Sequence, residues 1–205
     1  MSFVRRFEGP RSAARERARI SFMSRTFEDN LALYAKLAVT EGVALAPGQE
    51  LLVFAELTSA PLARLIAREA YRQGAKNVEV LYTDPDLTLA RSEDGADEAV
   101  EYAPQWLIDG VGNAHRENAA RLGILSSDPA LLSSVVPERV ATQSKAQGAA
   151  RRIISEIITG FEINWSLIGA ASPAWASRVF PNLPTDEAER RLWDAIFLTS
   201  RIHEA

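Results

Sequence analysis

The stretch GQELLVFAELTSAPLARLIAREAYRQGAKNVEVLYTD, residues 48–84, sets the fold class of this 205-residue chain. It contains two short apolar runs, LLVFAEL (51–57) and NVEVLYT (77–83), which are typical of strands in a sheet. The segment between them carries apolar residues at helical spacing, with Ser59 as its predicted N-cap and Gly74 at its end. A strand, a helix and a second strand in this order predict a βαβ unit with parallel strands.

The same alternation continues along the chain. RLGILSS (121–127) and INWSLIGA (163–170) are the predicted third and fourth strands. Helices are predicted over about 27–41, after Asp84-Pro85, over 104–120, over 137–159, and after Pro173 and Pro184 to about residue 200. Helical segments of this length between strands predict a Rossmann-like three-layer α/β domain, with a mainly parallel sheet of four strands and helices on both faces.

Composition narrows the classes of function. Hydrophobic residues make up 47% of the chain and charged residues 24%, which is ordinary for a folded domain. A formal net charge of −4 lacks the basic footprint of a nucleic-acid binder. The absence of cysteine excludes disulfides, Cys-ligated zinc, iron–sulfur clusters and a Cys nucleophile. No apolar run approaches the roughly 20 residues of a membrane span, so we expect a cytoplasmic protein with neither nucleic acid nor membrane as a partner.

The first 22 residues differ in composition from the rest of the chain. They hold six arginines against two glutamates and contain no apolar core of the kind that a secretory signal requires. An Arg-rich start could belong to a transit peptide or to an arm that touches nucleic acid. We favour a loosely ordered extension, with Met23 as a second start.

Few residues offer chemistry. The glycine motifs that cradle phosphates and the GxSxG nucleophile motif are absent, although the turn AELTSAPLAR (55–64) could present N–H groups to an anion. Of the two histidines, His115 lies on the apolar side of its helix, as a core histidine does, and His203 is near the C-terminus. Asp84 is either the N-cap of the next helix or a ligand residue at the end of a strand.

Carboxylates are frequent after the second strand. Seven are found there: Asp84, Asp86, Glu93, Asp94, Asp97, Glu98 and Glu101. A hard cation such as Mg²⁺ or Ca²⁺ accepts such ligands, but their spacing matches no EF-hand loop. We therefore interpret residues 92–104 as a solvated connection with a short helix, and we predict no catalytic, cofactor-binding or metal-binding residue in this chain.

The closing helix carries an apolar face formed by Leu192, Trp193, Ile196 and Phe197. Full burial of each such side chain contributes about 1.5–3 kcal/mol. We expect this face to pack either on the chain's own sheet or on a second copy of the chain in a homodimer.

Four segments together indicate a family. They are LALYAKLAVTEGVALAPGQELLVFAEL (31–57), APLARLIAREAYRQGAKNVEVLYTD (60–84) with Arg91 after it, DPALLSSVVPERVATQSKA (128–146) and SPAWASRVFPNLPTDEAERRLWDAIF (172–197). In this order they resemble the N-terminal domain of the thermophilic-type metalloaminopeptidases, the family of aminopeptidase T, aminopeptidase S and PepS. The resemblance covers residues 24–202.

The resemblance implies that catalysis belongs to a second domain. Members of that family release N-terminal amino acids from peptides, using two divalent metals, zinc or cobalt, held by Glu, His and Asp side chains in a C-terminal domain. It therefore implies that residues 24–202 are the single, non-catalytic N-terminal domain, that the catalytic domain is absent through truncation or a split gene, and that the chain alone is inactive. The implied partner is a catalytic-domain chain or a second copy. The alternatives are a stand-alone binding module on the same fold and, less favoured, a hydrolase with an unrecognised site.

Overall fold

A computed structural model describes residues 25–202, which contain four strands and nine α-helices. The strands are β1 (Glu50–Glu56), β2 (Asn77–Thr83), β3 (Ala120–Leu125) and β4 (Trp165–Gly169). The helices are α1 (Phe27–Leu37), α2 (Ala60–Arg72), α3 (Pro85–Asp94), α4 (Asp97–Glu101), α5 (Gln105–Arg116), α6 (Pro137–Ala150), α7 (Arg152–Thr159), α8 (Pro173–Val179) and α9 (Thr185–Thr199). The expectations for residues 1–22 and for His203 lie outside the described residues.

The four strands form one parallel sheet in the order β2-β1-β3-β4, which confirms the predicted α/β fold. All four lie within two residues of their predicted ends. In the centre of the sheet Phe54 pairs with Leu81 on β2, while on the other side it pairs with Gly123 on β3. No helix within the described residues is both long enough and apolar enough to cross a bilayer.

The first face of the sheet, which carries Leu51 and Val53 of β1, packs on α1, α2 and α9. The apolar face of α9 is buried here by the chain itself, so the intrachain alternative is the one that the structure shows. The Trp193 ring lies 5.6 Å from the ring of Phe27 and 5.4 Å from that of Phe197. Aromatic pairs at such distances add to the stabilisation from burial.

The second face, which carries Leu52 and Phe54 of β1, packs on α5 and α7. Its buried core is much smaller than that of the first face. It consists of Leu52, Ile108, Val111, Ala119 and Ile154.

Two predicted helices differ from the structure at their ends or in their middle. The first is α-helical only to Leu37 and closes with a π-helical turn, Ala38–Gly42. The helix predicted over 137–159 is broken at Arg151. The break has a tertiary cause, because α6 packs against α3 and α4 and has no buried residue, whereas α7 packs Ile154 and Ile158 into the second face.

The interpretation of residues 92–104 as a solvated connection is wrong in part. The short helix is present as α4, but Ser92 and Val100 are buried. The Arg139 guanidinium of α6 donates to the carbonyl oxygen of Ser92 at 2.9 Å and to the Asp97 carboxylate at 2.9 Å. These bonds join α3, α4 and α6 into one packed unit, which the acidic composition alone does not reveal.

Candidate interaction site at the carboxyl edge of the sheet

The chain reverses its direction of travel across the sheet between β1 and β3. From β1 it crosses to β2 on one side, and it then returns to place β3 on the other side of β1. In open α/β sheets, ligands bind outside the carboxyl ends of strands at such a switch point. The residues that follow β1 and β3 are therefore the first place to look for function.

A network of hydroxyls and one carboxylate occupies this switch point. The buried Ser126 hydroxyl accepts a hydrogen bond from Ser59 at 2.9 Å and donates to the Glu56 carboxylate at 3.2 Å. The Ser127 hydroxyl donates to the other oxygen of the same carboxylate. The end of β1 is thereby tied to the end of β3, and Ser59 spends its hydroxyl on this bond. Ser59 is the N-cap residue of α2, as predicted, but its side chain makes no capping hydrogen bond.

The helix after β4 is tied to the same point. The Ser172 hydroxyl donates to the carbonyl oxygen of Ser126 at 2.6 Å and accepts from the backbone N–H of Trp175 at 3.2 Å, which caps α8. Three segments far apart in sequence thus share one set of hydrogen bonds. Sequence reasoning missed this set, because isolated serines after strands are also the ordinary composition of loops.

The network lacks the partner that serine nucleophiles need. A serine is activated by an adjacent general base, and within the described residues the one histidine, His115, ends helix α5 at the opposite edge of the sheet, where β3 begins. The serine hydroxyls are instead held by one another and by Glu56. The arrangement is suited to bracing the sheet edge.

His115 is a buried core residue, as predicted, and only 2% of it is exposed. Its Nδ1 lies 3.0 Å from the Ala119 carbonyl oxygen, which only accepts, so Nδ1 carries the hydrogen. Its Nε2 is buried without a partner among the described residues. Burial lowers the pKa of His115 below its ordinary value; the hydrogen bond to Ala119 opposes this shift and the nearby Arg121 charge adds slightly to it, so the ring is neutral at pH 7.

The candidate carboxylates do not converge. The Asp84 carboxylate caps α3 by accepting from the N–H of Asp86 at 2.9 Å, which confirms its structural role. Glu93 accepts from the Ser134 hydroxyl at 2.8 Å, and Asp97 pairs with Arg139. Among residues 25–202 no three His, Asp or Glu side chains lie close enough to hold a metal ion. The described residues therefore do not fit a dinuclear metal centre, which needs several such ligands around two ions.

The amino edge of the sheet has its own brace. The buried Gln49 amide donates to the carbonyl oxygen of Asn118 at 2.8 Å and to the Asn164 side chain at 2.6 Å. The Asn164 amide donates in turn to the carbonyl oxygen of Val43 at 2.7 Å. The turn at residues 47–49 therefore has a structural role, since Gln49 joins three loops.

The carboxyl edge leaves several large apolar side chains in water. Leu57, just after β1, is 51% exposed, and Leu125, the last residue of β3, is 53% exposed. Leu87, in the first turn of the helix that follows β2, is exposed as well. We call Leu57, Leu87, Leu125 and Ser127 the carboxyl-edge face. Clustered exposed apolar residues rimmed by polar ones mark interaction surfaces.

Comparisons with known proteins agree with this fold. The model of the thermophilic metalloprotease family (M29) matches residues 27–205, and the chain belongs to that family. Aminopeptidase T of Thermus thermophilus is 42% identical over 175 residues, which are 85% of this chain and 43% of the relative. Aminopeptidase AmpS of Bacillus subtilis is 36% identical over 179 residues, 87% of this chain and 44% of the relative.

A solved structure gives the same picture. Wild-type AmpT from Thermus thermophilus superposes with a TM-score of 0.81 at 42% identity, over 84% of this chain and 43% of that one. The chain thus spans less than half the length of the relatives that it matches. We call the part of those relatives that this chain does not cover the remaining half.

Proposed function

We propose that this chain is the non-catalytic N-terminal domain of a metal-dependent aminopeptidase and that it is inactive on its own. The observation that carries the proposal is its membership of a metallopeptidase family together with coverage of only 43% of its aminopeptidase relatives. The absence of a three-ligand His, Asp or Glu group within residues 25–202 supports it. In this proposal the two divalent metals, zinc or cobalt, belong to the remaining half, which supplies the chemistry of peptide hydrolysis in the cytoplasm.

The domain's contribution is to hold and cover the remaining half. The carboxyl-edge face offers exposed leucines next to a braced hydroxyl network, which is a rigid and partly apolar surface. Sites built on rigid elements keep their geometry better than sites on loops. We assign this face as the contact with the remaining half, supplied either by a separate chain or by the same polypeptide.

The test is reconstitution. The chain is purified alone and also after coexpression with the remaining half of Thermus thermophilus aminopeptidase T, and both samples are loaded with zinc or cobalt. We expect copurification of the two halves, with metal and leucine release from a leucyl anilide appearing in the complex only. Stoichiometric metal in the chain alone, with turnover above a protein-free control, would contradict the proposal.

A second candidate function is a stand-alone binding module. It is favoured by the place of the carboxyl-edge face, because the switch point of an open α/β sheet is where ligands of such folds bind. The reconstitution separates the two candidates. A module of this kind would purify without the remaining half even when the two are coexpressed.

A further inference from the structure

The second face of the sheet is incompletely covered over β3 and β4. Arg121, Gly123 and Leu125 of β3 lie on this face, because alternate residues of a strand point to the same side. Trp165 and Leu167 of β4 lie on it too, since they pair with Arg121 and Gly123. Leu167 is 51% exposed although it lies in the sheet, and Trp165 is half-buried. We call Arg121, Leu125, Trp165 and Leu167 the β3–β4 strip.

Leu167 lies flat across the neighbouring strand. A Cβ placed on Gly123 would come within 2.4 Å of a Leu167 methyl group, so glycine is needed at this position for the leucine to reach over β3. The leucine thereby forms a broad apolar surface that no described helix covers. The first face lies under α1, α2 and α9, with a cavity over β4 that Tyr34, Ile168 and Ile196 line.

Arg121 is a cation without a counter-ion in the described part of the chain. Its guanidinium lies 3.7 Å from the centre of the Phe54 ring, and neither an ion pair nor a side-chain hydrogen bond holds it. Burial first, and the like charge of Arg151 second, lower its pKa to about 10. A half-buried charge that no carboxylate neutralises is costly within a folded domain.

The strip is continuous with the carboxyl-edge face. Phe54, beneath the guanidinium, is the register partner of Gly123, and Leu125 lies two residues further along the same strand. At about 3.3 Å per residue the charge is roughly 7 Å from the edge of the sheet. Leu125 belongs to both surfaces, so one partner seated on the edge can reach Arg121 without a gap.

We propose that the β3–β4 strip is a second contact with the remaining half, in which a carboxylate of that half pairs with Arg121 and apolar side chains cover Leu125 and Leu167. The inference rests on the proposed function. Charge complementarity favours the remaining half over a second copy of this chain. Two copies packed strip to strip would place Arg121 and Arg151 of one copy against the same two cations of the other. A carboxylate would neutralise the charge of Arg121, and apolar groups beside it would cover Leu125 and Leu167.

The experiment compares two strip variants with a matched control in the coexpressed complex. Arg121→Gln removes the cation and Leu167→Ser removes the apolar side chain of the strip. Arg68→Gln makes the same charge change at an exposed residue of α2. Affinity is measured by titrating each full-length chain against complex-derived remaining half. We expect Arg121→Gln and Leu167→Ser to weaken binding by about 10- to 100-fold, as for truncation of one partner in an interface, and Arg68→Gln to leave it unchanged.

A readout in the isolated chain separates contact from folding. Arg121 has no ion pair to lose there and only its contact with the Phe54 ring, so Arg121→Gln should lower the Tm of the isolated chain by a few degrees at most, in keeping with the loss of one cation–π contact. Two strip variants that bind as the wild type does would overturn this inference alone. Failure of the wild type to form the complex would overturn both proposals, and a sedimenting dimer of the isolated chain that Arg121→Gln abolishes would assign the strip to a second copy instead.

Discussion

The two faces of the sheet are formed by the same strands but differ in how completely helices cover them. The first face carries Leu122 and Val53 under three helices, with the aromatic cluster of Trp193, Phe27 and Phe197 closing the layer. The second face carries Leu52 and a few partners under two helices, and beyond them it leaves Leu125 and Leu167 exposed and the half-buried Arg121 without an ion pair among the described residues. The first face therefore stabilises the chain, whereas the second face is where a partner would bury further apolar surface.

The largest expected effect is at the aromatic cluster of the first face. Trp193→Ala should lower the free energy of unfolding by about 3–5 kcal/mol, the usual cost of removing a buried aromatic side chain. Urea denaturation measures it. The control is Trp106→Ala, because Trp106 is exposed on α5, and its effect should be within about 0.5 kcal/mol. Equal effects of the two changes would show that α9 does not anchor the first face.

A pair of leucines on neighbouring strands tests the two faces directly. Leu122 is fully buried on the first face and Leu167 is half exposed on the second. Leu122→Ala should cost about 2–5 kcal/mol because it leaves a cavity, whereas Leu167→Ala should cost less than about 1 kcal/mol. Thermal unfolding of both variants gives the comparison. A large loss at Leu167 would mean that the second face is part of the chain's own core.

The carboxyl-edge brace should contribute less than either core position. Ser126→Ala leaves the Ser59 hydroxyl and the Glu56 carboxylate without a shared partner, which costs about 1–3 kcal/mol. Ser155→Ala, at an exposed position of α7, is the control. If the two variants unfold at the same denaturant concentration, the network is not a brace.

The smallest expected effect is a pH dependence at the second face. The folded pKa of His115 is below its unfolded value of about 6.5, so between the two values the unfolded chain binds more protons. Stability is therefore lost as the pH falls through this window. Urea midpoints at a series of pH values should fall more steeply for the wild type than for His115→Gln. Parallel profiles would contradict a buried neutral ring, which Arg121 and the carbonyl of Ala119 surround.

The sequence predicted the roles of some candidate residues correctly. The position of Asp84 at a strand end predicted its cap, and the helical spacing around His115 predicted its burial. The exposed leucines were not predicted, because Leu57 and Leu125 lie at or near the ends of mainly apolar runs that resemble buried strands. Glu56, just before Leu57, was the available sign that burial ends there.

The sequence by itself determined the local elements and their parallel arrangement. Short apolar runs, the cap at Asp84, and intervening helices long enough for crossovers suffice for this, because each depends on neighbours along the chain. Only the tertiary structure decided how much of each sheet face is covered and where α6 and α7 separate. Alternation in a strand distinguishes two faces but does not say which helices lie on them, and the partners of Ser126 and Arg121 come from strands and loops that only the fold brings together.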